Sequence, residues 1–245
     1  QAQYVIPMCL PPCDHAPNVT SYYSSLFSLM MFGFYMSRAK GQITQAQADR
    51  CRMGLLQYAN AYSGSVMDRL SKQAYDLAVQ WEADGVDNMD FVGDGADYAT
   101  AFFGSAKVIE TYGGYTTYDD SEDWCHINYF LAQPETIGRV VITNRATPSF
   151  GRVQETLAAV KLLGSPCIVV SDAPETAFPE GFSVFTTPQT RYFWLLPLVQ
   201  HIPFDLVAGY IAEMRGETAF RMDDDAYATP LGANRLNSGT EIRIV

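Results

Sequence analysis

From Met89 onward the chain repeats one pattern: a run of about four apolar residues, a short turn, then ten or more residues with helical spacing. The apolar runs fall at 89–92, 115–118, 140–143, 167–170 and 182–185. Helical stretches lie between and after them, at 96–111, 121–131, 153–163 and 192–215. Strands that recur across intervening helices pair in parallel, because a parallel connection needs a crossover of a dozen or more residues. Helices between and after the strands then cover both faces of such a sheet. The expectation is therefore an α/β fold: a three-layer, doubly wound, five-stranded parallel sheet, with its ligand crevice at the carboxyl ends of the strands.

The first third reads differently. Residues 4–7 suggest the end of a strand, closed by Pro11-Pro12. Thr20 or Ser21 can cap a long apolar helix that runs to Lys40 and stops at Gly41. Thr44-Gln45-Ala46-Gln47 fits a capping box opening a second helix to Tyr62, and Ser63-Gly64-Ser65 precedes a third over 66–81. The most apolar stretch, 26–36, is too short to span a bilayer and reads as a buried helix. The division expected is 1–85, helices after one strand, and 86–245, the sheet with a polar tail. That tail carries Asp223-Asp224-Asp225 and ends in a strand-like 241–245.

With a net charge of -11 and only 16 Lys and Arg, nucleic acid is not an expected partner, since phosphate-backbone affinity needs clustered cations. A small anion is not excluded, because a nest of backbone N–H groups at a helix start suffices to hold one. The five cysteines are scattered and form no metal-like pair. This suits a reducing, cytoplasmic setting with no metal or cofactor; Cys9 and Cys13 could bridge, but two thiols are the expected state. The sequon at Asn18 stands alone, and the N-terminus has no positively charged leader.

The segment Phe91-Val92-Gly93-Asp94-Gly95-Ala96-Asp97-Tyr98-Ala99-Thr100-Ala101 resembles the glycine-rich strand-to-helix turn of a sugar isomerase (SIS) domain. Specifically, it is similar to the second such domain in the double-SIS family of glucosamine-6-phosphate synthase and fructosamine-phosphate deglycases. Gly104-Ser105-Ala106-Lys107-Val108-Ile109-Glu110 continues as that family's helix. Residues 195–208 followed by Glu213-Met214-Arg215-Gly216 look like its last long helix. Thr20-Ser21-Tyr22-Tyr23-Ser24-Ser25 and the helix after it resemble the close of the first SIS domain. Relatives carry a full first domain upstream, so the resemblance spans nearly all of this chain but of a truncated molecule.

Aldose–ketose isomerisation moves a proton between adjacent carbons through an enediol, which calls for a poised carboxylate and groups to handle ring opening and the oxyanion. The resemblance places Glu110 as that base, and Lys107, one turn earlier, as the charge that steadies it. It places the catalytic histidine at His126, at the family spacing of 126 − 110 = 16 positions. In relatives that histidine reaches the neighbouring subunit's sugar, which implies a homodimer. Thr20 and Ser21 are the implied substrate-binding residues. Asn237 stands where the synthases carry a ring-opening lysine; it can hydrogen-bond a sugar hydroxyl but cannot form an imine.

His126 is surrounded by Asp119-Asp120-Ser121-Glu122-Asp123-Trp124-Cys125 and not by the family's usual Glu-Leu-Lys-His-Gly-Pro, which points to a different substrate. The family's phosphate-gripping Ser/Thr loop does not occur in these residues, and 143–149 reads as a structural loop. Without a glutaminase signature, the expected activity is a phosphosugar isomerase or a ketoamine-phosphate deglycase acting on a phosphorylated sugar or sugar–amine adduct. A non-catalytic sugar-phosphate-binding or regulatory SIS module is the alternative. A nucleotide binder is a third reading, resting on Gly93-x-Gly95 alone.

Overall fold

The computed structural model describes residues 5–7, 19–217 and 221. Three helices lead: α1 (Val19–Ala39), α2 (Gln45–Ala61) and α3 (Ser65–Asp84). The alternating part follows as β1 (Asn88–Gly93), α4 (Ala96–Tyr112), β2 (Thr116–Asp119), α5 (Ser121–His126), β3 (Ile137–Ile142), α6 (Phe150–Leu163), β4 (Cys167–Ser171), β5 (Ser183–Thr186) and α7 (Ile202–Met214). The five strands are all parallel, in the order β2-β1-β3-β4-β5. The fold is thus the doubly wound α/β sheet that the strand–helix alternation predicts. Its order reverses between β1 and β3, so a crevice is expected where their carboxyl ends part.

Successive side chains of a strand point to opposite faces, and this sheet buries both. Met89, Phe91, Val140, Ile142, Ile168, Val170 and Phe185 pack on one side with α3, α4 and α7. Val92, Val141, Val169 and Val184 pack on the other with α5 and α6. Gly104 sets the α4–α7 approach: a Cβ there would come within 2.5 Å of Phe204 and 2.6 Å of Phe91. At α2 the Thr44–Gln47 capping box is present, with Thr44 Oγ1 accepting from the Gln47 N–H and Gln47 Oε1 from the Thr44 N–H.

Several expectations change. The helix expected over 192–215 is two elements, a 3-10 stretch Phe193–Leu198 and then α7, because Pro197 and Pro203 lack the N–H an uninterrupted helix needs. The helix expected over 121–131 stops at His126; Asn128 turns inward to donate to buried Asp90 at 2.9 Å, and a 3-10 turn replaces the last helical turn. Helix α1 begins at Val19, so Thr20 and Ser21 lie inside its first turn and not at its cap. Its apolar stretch is not buried: Ser24 is the one residue of α1 that is, while Leu29 and Tyr35 are well exposed. Only one flank of the helix meets the rest of the described fold. Val5, Ile6 and Pro7 are exposed and form no strand. Tyr4, Cys9, Cys13, Asn237 and the stretch 241–245 lie outside the described residues. Cys51, Cys125 and Cys167 are free thiols, and burial pushes the Cys167 thiol up.

The segment Phe193–Met214 is apolar and long enough to cross a bilayer by composition, yet 67% of that window is buried within the fold. A core segment of a folded domain passes the same test.

Candidate functional site

Helix α4 carries charged side chains at both ends. At its start Gly93-Asp94-Gly95 makes the turn out of β1, with Gly95 at φ 58 in the left-handed region that glycine occupies without strain. Asp94 accepts from the Ser121 N–H and hydroxyl, both at 2.8 Å, and so ties this turn to α5. Asp97 is buried at the crevice between β1 and β3. It accepts from Gln200 Nε2 (2.9 Å), Asn144 Nδ2 (3.0 Å) and Thr147 Oγ1 (3.2 Å), all neutral donors. Burial pushes its carboxyl up to about 6, with the three hydrogen bonds opposing the shift. The switch point thus holds an acidic network, in which Gln200 Oε1 lacks a hydrogen-bond partner among the described residues. Arg145, from the 143–149 loop, stands beside this network and pairs with Asp172 at 3.6 Å.

Further along α4, Lys107 Nζ bonds to Glu110 Oε2. The Lys107 side chain is nearly buried and lies over the Phe103 ring at 5.1 Å, while Glu110 is one-third exposed. Lys107 borders a cavity of about 620 Å³ between α4 and α7, closed on one side by Val19 and Tyr23 of α1 and by Met67 of α3; Glu110 is not among its lining residues. His201 and Asp205 from the start of α7 also line it. His201 Nδ1 stands 2.6 Å from Asp205 Oδ2. Burial raises the Asp205 carboxyl, and the His201 hydrogen bond and the Lys107 charge work against that rise. Tyr22 and Tyr23, the two residues after Thr20-Ser21, wall the same region. They donate to the Pro197 and Leu198 carbonyls at 3.1 and 2.9 Å, and burial pushes the Tyr22 hydroxyl up to about 12.

His126 closes α5 on the surface, with Nε2 at 3.0 Å from Glu122 Oε1; Glu122 in turn pairs with Arg152 at 2.8 Å. Helix α5 is held by a buried cluster behind it. Asp90 of β1 accepts from Arg139 Nη1, Trp124 Nε1, Thr117 Oγ1 and Asn128 Nδ2. Asp120 caps α5 through the Glu122 and Asp123 N–H groups.

Of the residues singled out in the sequence, Lys107 and Glu110 come together, and Thr20 and Ser21 immediately precede Tyr22 and Tyr23, of which Tyr23 lines the cavity that Lys107 borders. His126 does not join them within one chain. Glu110 lies about 21 Å along α4 from its first residue, toward the amino ends of the strands, whereas His126 follows the carboxyl end of β2. The reading of the sequence passed over His201 and Asp205, whose i,i+4 spacing at a helix start was the available signal. It also passed over Asp97, whose partners lie 47 to 103 residues away. Among the described residues no group of three or more His, Cys, Asp or Glu side chains is placed to hold a metal.

No family model and no curated protein matches the sequence. Solved structures do match. The C-terminal domain of glucosamine-fructose-6-phosphate aminotransferase from Francisella tularensis superposes with TM-score 0.71 at 17% identity, over 82% of this chain and 56% of that one. A candidate phosphosugar isomerase from Clostridium difficile 630 gives TM-score 0.66 at 18% identity, over 87% of this chain and 57% of that one. A candidate phosphosugar isomerase involved in capsule formation, from Bacteroides fragilis, gives 0.52 at 16%, over 69% of this chain and 92% of that one. The chain has the sugar isomerase fold and spans a little over half the length of the first two of these chains.

Proposed function

We propose that this chain is the half of a double-SIS protein that supplies the enolising carboxylate, acting on a phosphorylated sugar or a sugar–amine phosphate adduct. In this reading residues 1–85 close one SIS unit and 86–245 form the next. The observation that carries the proposal is the Lys107–Glu110 pair, whose lysine lines the α4–α7 cavity. The fold is that of proteins described as phosphosugar isomerases, which supports a phosphosugar as the ligand class.

The chemistry follows from the two charges. Glu110 takes the proton from the carbon next to the sugar carbonyl and returns it to the neighbouring carbon. Lys107 fixes the carboxylate's direction and offers a positive charge to the oxyanion that develops. His126, far from Glu110 in its own chain, serves the cavity of a second copy, which makes the working unit a homodimer. With an amine in place of the C1 hydroxyl, return of the proton to C2 leaves an imine at C1, which water hydrolyses to the aldehyde and the free amine, the deglycase outcome.

Calorimetry and turnover on E110Q test the proposal: binding of a hexose 6-phosphate persists while conversion falls by at least ~100-fold. Conversion at the wild-type rate refutes Glu110 as base. Binding without conversion in the wild type itself turns the reading to a non-catalytic sensor.

A further inference from the structure

His201 and Asp205 stand one turn apart at the start of α7, and both line the cavity that Lys107 borders. His201 is 1% exposed. The rings of Tyr22, Tyr23 and Phe103 surround its imidazole, with centroids at 5.4, 5.3 and 5.3 Å. A carboxylate accepts hydrogen bonds, so the contact to Asp205 Oδ2 places the proton on Nδ1 and leaves a lone pair on Nε2. Among the described residues Nε2 has no hydrogen-bond partner, and neither has Asp205 Oδ1. The tyrosine hydroxyls of the cage do not serve it, since they donate to the carbonyls of Pro197 and Leu198. A buried polar atom without a partner is an exception in native proteins, and a role in binding or catalysis is one of the explanations for it, here joined by the place of His201 in the lining of the cavity. The triad logic of a carboxylate fixing an imidazole so that its far nitrogen handles a proton fits this pair.

We propose that His201, oriented by Asp205, is a proton-handling group of this cavity, moving the hydroxyl proton while Glu110, whose partner Lys107 lines the cavity, moves the carbon-bound one. This rests on the phosphosugar reading above. From aldose to ketose, Glu110 removes the proton at C2, the C1–C2 double bond forms, and the carbonyl pair moves onto O1. Nε2 takes the proton from O2 and delivers it to O1. The O2 pair then forms the C2 carbonyl, and C1 takes back the proton held by Glu110. C2 is oxidised and C1 reduced within one molecule, so no outside redox partner enters. Asp205 touches no substrate in this scheme and is a positioning residue.

The test uses the full chain with 15N-labelled histidine. It has three histidines, so the His201 ring signals are assigned by their loss in H201Q, or by elimination with H15Q and H126Q should H201Q fail to fold. The expected spectrum shows His201 protonated on Nδ1, and adding fructose 6-phosphate moves the Nε2 resonance. In parallel, H201Q lowers kcat by ~100-fold with KM little changed. D205N lowers kcat by a smaller factor and shifts the His201 tautomer toward Nε2–H. If sugar phosphate binds, seen as a thermal shift, while the Nε2 resonance and kcat of H201Q stay as in the unperturbed protein, the inference fails and the Glu110 reading survives. If no hexose phosphate binds or turns over, both fall together.

Discussion

Replacing Arg139 by methionine is the sharpest structural perturbation the chain offers, because it strands a carboxylate in the middle of the sheet. Asp90 and Arg139 are 1% and 0% exposed, on neighbouring strands β1 and β3. Water cannot replace the guanidinium. Methionine keeps the length and apolar bulk of the side chain, so little of the effect comes from a cavity. Asp90 retains Thr117 at 2.6 Å, Asn128 at 2.9 Å and Trp124 as donors, all of them neutral. Removing one partner of a buried ion pair costs roughly 3–5 kcal/mol, since it leaves the other charge uncompensated. D90N strands Arg139 in the same way, and Arg139 Nη2 already lacks a partner among the described residues. The double variant D90N/R139M removes both charges. It should recover about 2 kcal/mol or more relative to the sum of the single changes, as coupled neighbours do. Urea unfolding read by tryptophan emission measures this, with Trp124 as a local reporter because its ring packs against the Arg139 guanidinium at 5.4 Å. Single variants that each cost under ~1 kcal/mol, or a double variant additive within ~0.5 kcal/mol, would refute the account of this pair. Because Asp90 also holds Trp124 and Asn128, R139M is expected to loosen α5 and with it the placement of His126.

Asp97 gives a pH-dependent prediction. Its folded pKa of about 6 lies above the unfolded value, so the folded state binds the extra proton and stability falls as pH rises from about 4 to about 6. The loss amounts to about 3 kcal/mol, and D97N should flatten that part of the stability profile; a D97N profile parallel to the wild type in this window would contradict it. G104V should destabilise by ~1–3 kcal/mol or more in chemical denaturation, because its side chain enters the space of Phe204 and Phe91. An unchanged midpoint would mean that α4 and α7 do not pack as closely as described. T44A removes the exposed capping box of α2 and should cost about 1 kcal/mol, read from the same curves.

The sheet was legible because apolar runs such as 140–143 and 167–170 alternate with helical stretches and its helices start at recognisable turns; Thr44–Gln47 even announced its own hydrogen bonds. Boundaries failed where tertiary partners overrode local pattern. Asn128 leaves the helical path to reach Asp90, 38 residues away, and Pro197 and Pro203 divide what hydropathy alone reads as one helix. Apolar composition made α1 read as buried, but composition carries no information about what covers a helix. At the candidate site, Lys107 and Glu110 were readable because residues 104–110 resemble the family's helix; a three-residue Lys–Glu spacing alone marks most often a surface ion pair. Asp97 was not, since its donors come from three distant segments that meet only at the switch point. His201 sat in plain view as an i,i+4 neighbour of Asp205, yet only the packing of α1 and α4 around it exposes the empty Nε2.

The central claim is that Glu110 moves a carbon-bound proton of a sugar phosphate. Incubating the protein with fructose 6-phosphate or glucose 6-phosphate in D2O and following the sugar by proton NMR tests it directly. The account predicts deuterium entering at the carbon adjacent to the carbonyl with the wild type, and incorporation slowed by ~100-fold or more in E110Q. Label entering at the same rate in E110Q, or none entering with wild-type protein that binds the sugar, would contradict it.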